Sequence, residues 1–228
     1  MKKAAKPKRA DKRRILIVDD HPMTRQGLIT LIEGAGDLEV CGQAESAQQA
    51  LEKSDQGQPH LVLADITLPG KNGLELVKDL RALHPDLPVL VLSMHDERLY
   101  AERVLRAGGR GYIMKQEGGR KILDAIYQVL AGKIFLSESM SAQILENISG
   151  RPRRASHSPV EKLTDREFEV FQLIGQGHST KGIASHLHLS TKTIEVHRLK
   201  IKEKLKVKTA AELIRFAVRW VESENPAS

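Results

Sequence analysis

At 228 residues the chain is long for one ordinary domain and sufficient for two smaller ones, and its 40% apolar content allows packed cores. Its 4% aromatic content argues against an aromatic stacking surface for single-stranded nucleic acid, and no apolar run reaches membrane-spanning length. A lone cysteine, Cys41, excludes an internal disulfide and fits a reducing, cytoplasmic setting. The net charge of +7 is unevenly spread. Residues 1–14 hold eight Lys/Arg against one Asp, residues 15–150 hold 13 against 19 Asp/Glu, and residues 151–228 hold 15 against nine. An acidic middle followed by a basic end predicts two domains with different partners, the second suited to a polyanion.

The basic tail, 1–13, has no apolar periodicity and is expected to be disordered. From residue 14 to 132, apolar runs at 15–18, 38–42, 61–64, 89–92 and 111–114 alternate with amphipathic stretches near 23–34, 46–55, 73–83, 97–107 and 118–131. Runs that are apolar throughout are characteristic of strands buried on both faces of a parallel sheet. Five such strands alternating with five helices predict a doubly wound α/β domain. Residues 133–160 read as a linker helix near 138–147 followed by a Gly/Pro/Ser-rich hinge, 150–159. Residues 161–222 read as four short helices, near 165–175, 179–187, 191–205 and 209–220, with a tail at 223–228. Thr164 with Glu167 and Thr209 with Glu212 have capping-box spacing, and Ser179 and Ser190 are candidate caps.

In an open parallel sheet, chemistry gathers beyond the carboxyl ends of the strands. Those ends carry Asp19 and Asp20, Asp65, Ser93 and Lys115. Taken singly, an Asp pair there is more often a turn or cap, a Lys is usually solvated, and Ser93 could cap the following helix. Together, three carboxylates, a hydroxyl and an ammonium at one rim suit phosphoryl transfer to a carboxylate, with Mg²⁺ held among oxygen ligands.

The segments Ile17-Val18-Asp19-Asp20-His21-Pro22, Asp65 to Gly73, Val91-Leu92-Ser93-Met94-His95-Asp96 and Gly111-Tyr112-Ile113-Met114-Lys115 resemble the signatures of the response-regulator receiver family, which has a flavodoxin-like fold. The resemblance implies that Asp65 is the phosphoacceptor. It implies that Asp19, Asp20, Asp65 and the Thr67 carbonyl hold Mg²⁺. Ser93 and Lys115 would contact the phosphoryl group, and the Tyr112 rotamer would follow phosphorylation. Met94 is larger than the Ala or Gly usual at its position and is expected to slow turnover of the phosphorylated form.

The helix pair at 179–187 and 191–205 has helix-turn-helix spacing. Ile194, Ile201 and Leu205 form a core stripe, and Lys192, Glu195, Arg198, Leu199 and Lys202 lie opposite. Residues 163–218 resemble the LuxR-type helix-turn-helix of NarL/FixJ-class regulators, through Leu163-Thr164, Arg166-Glu167, Gly177, Lys181-Gly182-Ile183-Ala184, Lys192-Thr193-Ile194-Glu195 and Lys204-Leu205. Glu195, Val196, Leu199 and Lys202 would face base edges, with Glu195 alternatively orienting a neighbouring basic side chain. Lys181, Lys192, Thr193, Arg198 and Lys200 would contact phosphates.

The combined resemblance implies a two-component regulator, not an enzyme beyond its own phosphoryl transfer. Its expected partners are a cognate sensor histidine kinase, double-stranded DNA and a second copy on phosphorylation, and RNA polymerase is a further candidate. The alternative is a phosphorylation-independent DNA-binding protein that uses its receiver only to dimerise.

Overall fold

The computed structural model describes residues 12–148 and 159–224; most of the basic tail, most of the expected hinge and the last four residues lie outside the described residues. Five strands, β1 (Arg13–Val18), β2 (Leu38–Ala44), β3 (Leu61–Ala64), β4 (Val89–Ser93) and β5 (Gly111–Met114), form one parallel sheet in the order β2-β1-β3-β4-β5. The apolar runs are buried on both faces. Within β1, Leu16 and Val18 join one buried cluster while Ile15 and Ile17 join the other. Helices α1 (Pro22–Gly34) and α5 (Gly119–Leu130) supply the second cluster; α2 (Ala47–Gly57), α3 (Gly73–Leu83) and α4 (Glu97–Ala107) supply the first. Because β1 lies between β2 and β3, the strand order reverses beside it, and the rim at that switch carries Asp19, Asp20 and Asp65.

The sheet edge also takes up the start of the expected linker. Phe135 bridges Gly111 in parallel, its N–H donating to the Arg110 carbonyl and its carbonyl accepting from Tyr112. Phe135 is buried in the α1/α5 cluster. Helix α6 (Glu138–Ile148) follows, its start fixed by Ser137, whose N–H donates to Glu97 of α4 and whose hydroxyl accepts from Met140.

The second unit begins with a 3₁₀ turn, Pro159–Lys162, and continues through α7 (Asp165–Gly175), α8 (Thr180–His186), α9 (Thr191–Leu205) and α10 (Ala210–Glu224). Thr164 and Glu167 complete a reciprocal capping box on α7, and Ser179 and Ser190 cap α8 and α9. Thr209 accepts from Glu212 N–H, but the Glu212 carboxylate turns to Lys208, so that box is not reciprocal. Helix α10 runs four residues past the predicted end at 220. Its added turn stays close to α7, where a Cβ at Gly175 would lie 2.5 Å from the Val221 side chain. Ser93 is not the α4 cap; Asp96 is, accepting from Arg98 N–H.

The two units share one continuous buried cluster. Residues 166–174 of α7 are all buried, although an amphipathic helix normally buries one stripe. The apolar side packs on α9 and α10, while the polar side, with Arg166, Glu169 and Gln172, is enclosed as α7 meets α3 and α4. Arg103 of α4 stacks over the Phe168 ring at 4.0 Å and donates to the carbonyls of Val160 and Leu163. Asp165 accepts from both Arg103 and Lys78.

Candidate phosphoacceptor pocket and nucleic-acid interface

The strand ends converge as the spacing predicts. Asp19 and Asp65 are buried, and Lys115 Nζ donates to both, at 2.6 Å each. One ligand atom from each of Asp19, Asp20, His21 and Asp65 can be chosen so that all lie within 4.8 Å of one another. Burial pushes the Asp65 carboxyl up to about 6, and Lys115 opposes that rise. Burial by itself would lower Lys115; the Asp65 and Asp19 carboxylates outweigh it and leave the ammonium raised. The backbone gives the phosphoacceptor loop little room: a Cβ at Gly73 would sit 2.1 Å from the Asp65 carbonyl oxygen, so only glycine allows α3 to start there. Asn72 caps α3 in a reciprocal box with Glu75, which fixes the far end of the loop.

Asp20 Oδ1 is buried and accepts no hydrogen bond among the described residues, while His21 Nδ1 lies 2.7 Å from it. Three carboxylates with an unsatisfied oxygen form a hard-oxygen donor set of the kind that Mg²⁺ takes. The donor set fits that ion.

Ser93 is fully buried and its hydroxyl accepts from His95 N–H at 3.2 Å. The Tyr112 ring is buried and its hydroxyl donates to the His95 carbonyl at 2.7 Å, with burial raising its pKa strongly. Met94, next in the chain to buried Ser93, is 63% exposed and so does not fill the pocket interior. His95, to which the sequence assigns no role, lies among these residues, and burial lowers its imidazole to about 4. The helical unit also reaches the pocket: His188, in the turn between α8 and α9, places Nε2 3.3 Å from Asp20 Oδ2.

Helix α9 presents the other candidate surface. Ile194, Ile201 and Leu205 face the core, as the stripe predicts. Lys192, Glu195, Val196, Leu199 and Lys200 are exposed, as is Lys181 of α8; Thr193, Arg198 and Lys202 are half-buried. Of the two roles weighed for Glu195, the geometry favours orientation of a neighbour. It accepts from Thr180, Thr180 accepts from Arg198, and Arg198 Nε stands 4.0 Å from Glu195.

Residues 15–127 match the family described as response regulator receiver domain, and residues 161–217 match the luxR family of bacterial regulatory proteins. The response regulator GacA of Pseudomonas protegens is 35% identical over 90% of this chain and 95% of its own. The nitrate/nitrite response regulator NarL of Escherichia coli K12 is 34% identical over 92% of this chain and 95% of its own. A solved structure of the Salmonella typhimurium response regulator RcsB, described in terms of conformational dynamism for DNA interaction, matches with a TM-score of 0.55 and 27% identity. It covers 91% of this chain and 98% of its own.

Proposed function

The chain belongs to the response regulators that join a receiver to a LuxR-type DNA-binding domain, and from that membership we propose how its own residues perform the cycle. Asp65 attacks a phosphoryl group carried by a sensor histidine kinase; the new Asp65 O–P bond replaces the donor's N–P bond. Asp19, Asp20, Asp65 and the Thr67 carbonyl would hold Mg²⁺, which would supply positive charge to offset that on the transferred oxygens. Lys115 and Ser93 take the phosphoryl oxygens as hydrogen-bond acceptors, and the buried Tyr112 adjusts as Ser93 is drawn over.

The observation carrying this reading is the placement of Lys115 Nζ, 2.6 Å from both Asp19 and Asp65. A fixed ammonium at that point suits the acyl phosphate and disfavours two unpaired buried carboxylates.

The output is DNA binding through α9. Glu195, held to Arg198 and Thr180, keeps the arginine poised beside the duplex. Val196, Leu199 and Lys202 meet base edges, and Lys181, Lys192, Thr193, Arg198 and Lys200 hold phosphates. The outer face of α9 is exposed in the docked arrangement. Phosphorylation therefore acts on the freedom of the helical domain and its pairing with a second copy, rather than by uncovering single side chains. A dimer then meets two half-sites.

The test is a phosphate-affinity gel with phosphoramidate and Mg²⁺ on wild type and Asp65→Asn, followed by capture of sheared genomic duplex. Wild type should shift on the gel and gain capture, while Asp65→Asn does neither. Equal capture with and without phosphoryl transfer would support the phosphorylation-independent alternative instead.

A further inference from the structure

We propose that His95 is a positioning residue that carries the state of the Asp65 pocket to the DNA-binding domain, acting through Tyr100 on Gln172 and Phe168. The proposal rests on the Asp65 reading above.

His95 is held from four sides. Its N–H donates to Ser93 Oγ at 3.2 Å, its carbonyl accepts from the Tyr112 hydroxyl at 2.7 Å, and its Nε2 lies 3.1 Å from Thr67 Oγ1. Its ring stacks on Tyr100, with centroids 4.9 Å apart and planes 30° from parallel. The first three contacts go to Ser93, placed at the phosphoryl group, to Tyr112, expected to respond to it, and to Thr67, two residues after Asp65. The fourth leads away from the pocket.

Tyr100 is fully buried, and both its hydroxyl and its ring also meet α7. Its hydroxyl donates to Gln172 Oε1 at 2.8 Å, and its ring meets Phe168 edge-on at 5.3 Å. Phe168 in turn stands edge-on to Trp220 of α10 at 5.5 Å. Direct contacts therefore run without a gap from the Asp65 loop to the last helix.

The chain of contacts favours two discrete states. A Ser93 hydroxyl drawn to a phosphoryl oxygen pulls away from the His95 amide, and the buried Tyr112, whose hydroxyl holds the His95 carbonyl, adjusts to the space that Ser93 leaves. His95 directly precedes Asp96, the α4 cap, so its shift moves the platform under Tyr100 and the start of α4 together. The Tyr100 hydroxyl and Gln172 amide are both buried, and a buried polar pair is costly to leave half-made. It is kept whole or given up.

The full chain supplies its own reporter, because Trp220 is the single tryptophan and lines the cleft between α4 and α7. Emission of Trp220 and amide exchange across 165–175 are measured for wild type, His95→Ala, Tyr100→Phe and the double variant, with and without phosphoramidate and Mg²⁺. A phosphate-affinity gel records phosphoryl uptake in each sample. In wild type, uptake should shift emission to the red and speed exchange. His95→Ala should speed exchange about tenfold without phosphoryl uptake and shrink the further response to it. Tyr100→Phe should move the same way by less, and the double variant should fall short of the sum.

Unphosphorylated exchange and emission within about twofold of wild type in both single variants would overturn the relay. So would additive effects in the double variant. Should His95→Ala not fold, Tyr100→Phe, whose missing hydroxyl lies on the far side from the pocket, decides alone by the same exchange criterion. A gel that stays silent in wild type would sink the Asp65 reading and with it the phosphoryl input to the relay.

Discussion

Met94 and Lys192 show how far a single side chain can be read. The Met94 side chain is exposed and follows buried Ser93 directly in the chain, and a flexible thioether there is expected to narrow the approach of a small donor or of water. Met94→Ala should raise both phosphorylation by phosphoramidate and loss of the phosphoryl group by about two- to fivefold, measured as time courses on phosphate-affinity gels. Unchanged rates would remove Met94 from the account. On α9, Lys192 is exposed beside the Ser190 cap, suited to a phosphate rather than a base. Lys192→Ala should weaken binding to all duplexes alike and reduce the slope of log affinity against log salt by about 1. Leu199→Ala, by contrast, should change base preference and leave the slope alone.

At the scale of elements, the strands and caps were legible because their physics is local. Apolar runs buried on both faces, and Thr164, Ser179 and Ser190 as caps, follow from nearest neighbours and appear where the pattern puts them. Phe135 on the sheet edge was not legible, because a single bridge to Gly111 has no periodicity to read. Nor was the burial of polar residues on α7, since Arg166, Glu169 and Gln172 give no local sign that a second domain covers them. The pocket was legible as a set of strand ends, but His95 was not, because its role arises from contacts with residues distant in the sequence. The crossing of α7 and α10 yields an element-scale prediction. A Cβ at Gly175 would come within 2.6 Å of the Ala217 carbonyl oxygen, so the helices must part to admit it. Gly175→Ala should cost about 1–3 kcal/mol in urea unfolding of the helical domain, with phosphoryl uptake by the receiver unchanged.

Across the whole molecule, a buried acid lies where the two domains meet. Glu169 pairs with Arg166 at 2.7 Å, faces Asn72 and Glu75 of α3, and has His197 of α9 near the arginine. Burial pushes its carboxyl from 4.5 up to about 7, with Arg166 opposing. A pKa raised in the docked state means that docking favours the protonated acid. That contribution is full below about 4.5 and is lost as pH rises through about 7. His197, lowered by burial from 6.5, stays largely neutral above that value and adds little over the window. Between pH 6.5 and 8, Trp220 emission of the unphosphorylated chain should move toward its phosphorylated value, and Glu169→Gln should flatten that change and favour docking at pH 8. A flat wild-type profile would refute this. Finally, the His188 contact with Asp20 joins the turn before the reading helix to the carboxylates of the pocket. Two ligands that bias one equilibrium must help each other by the same factor. If filling the pocket frees the helical domain to hold DNA, then DNA held by that domain tightens the grip of the pocket on its ligand. An occupied operator would therefore shift the equilibrium of the whole chain toward the filled pocket, just as the filled pocket shifts it toward the operator.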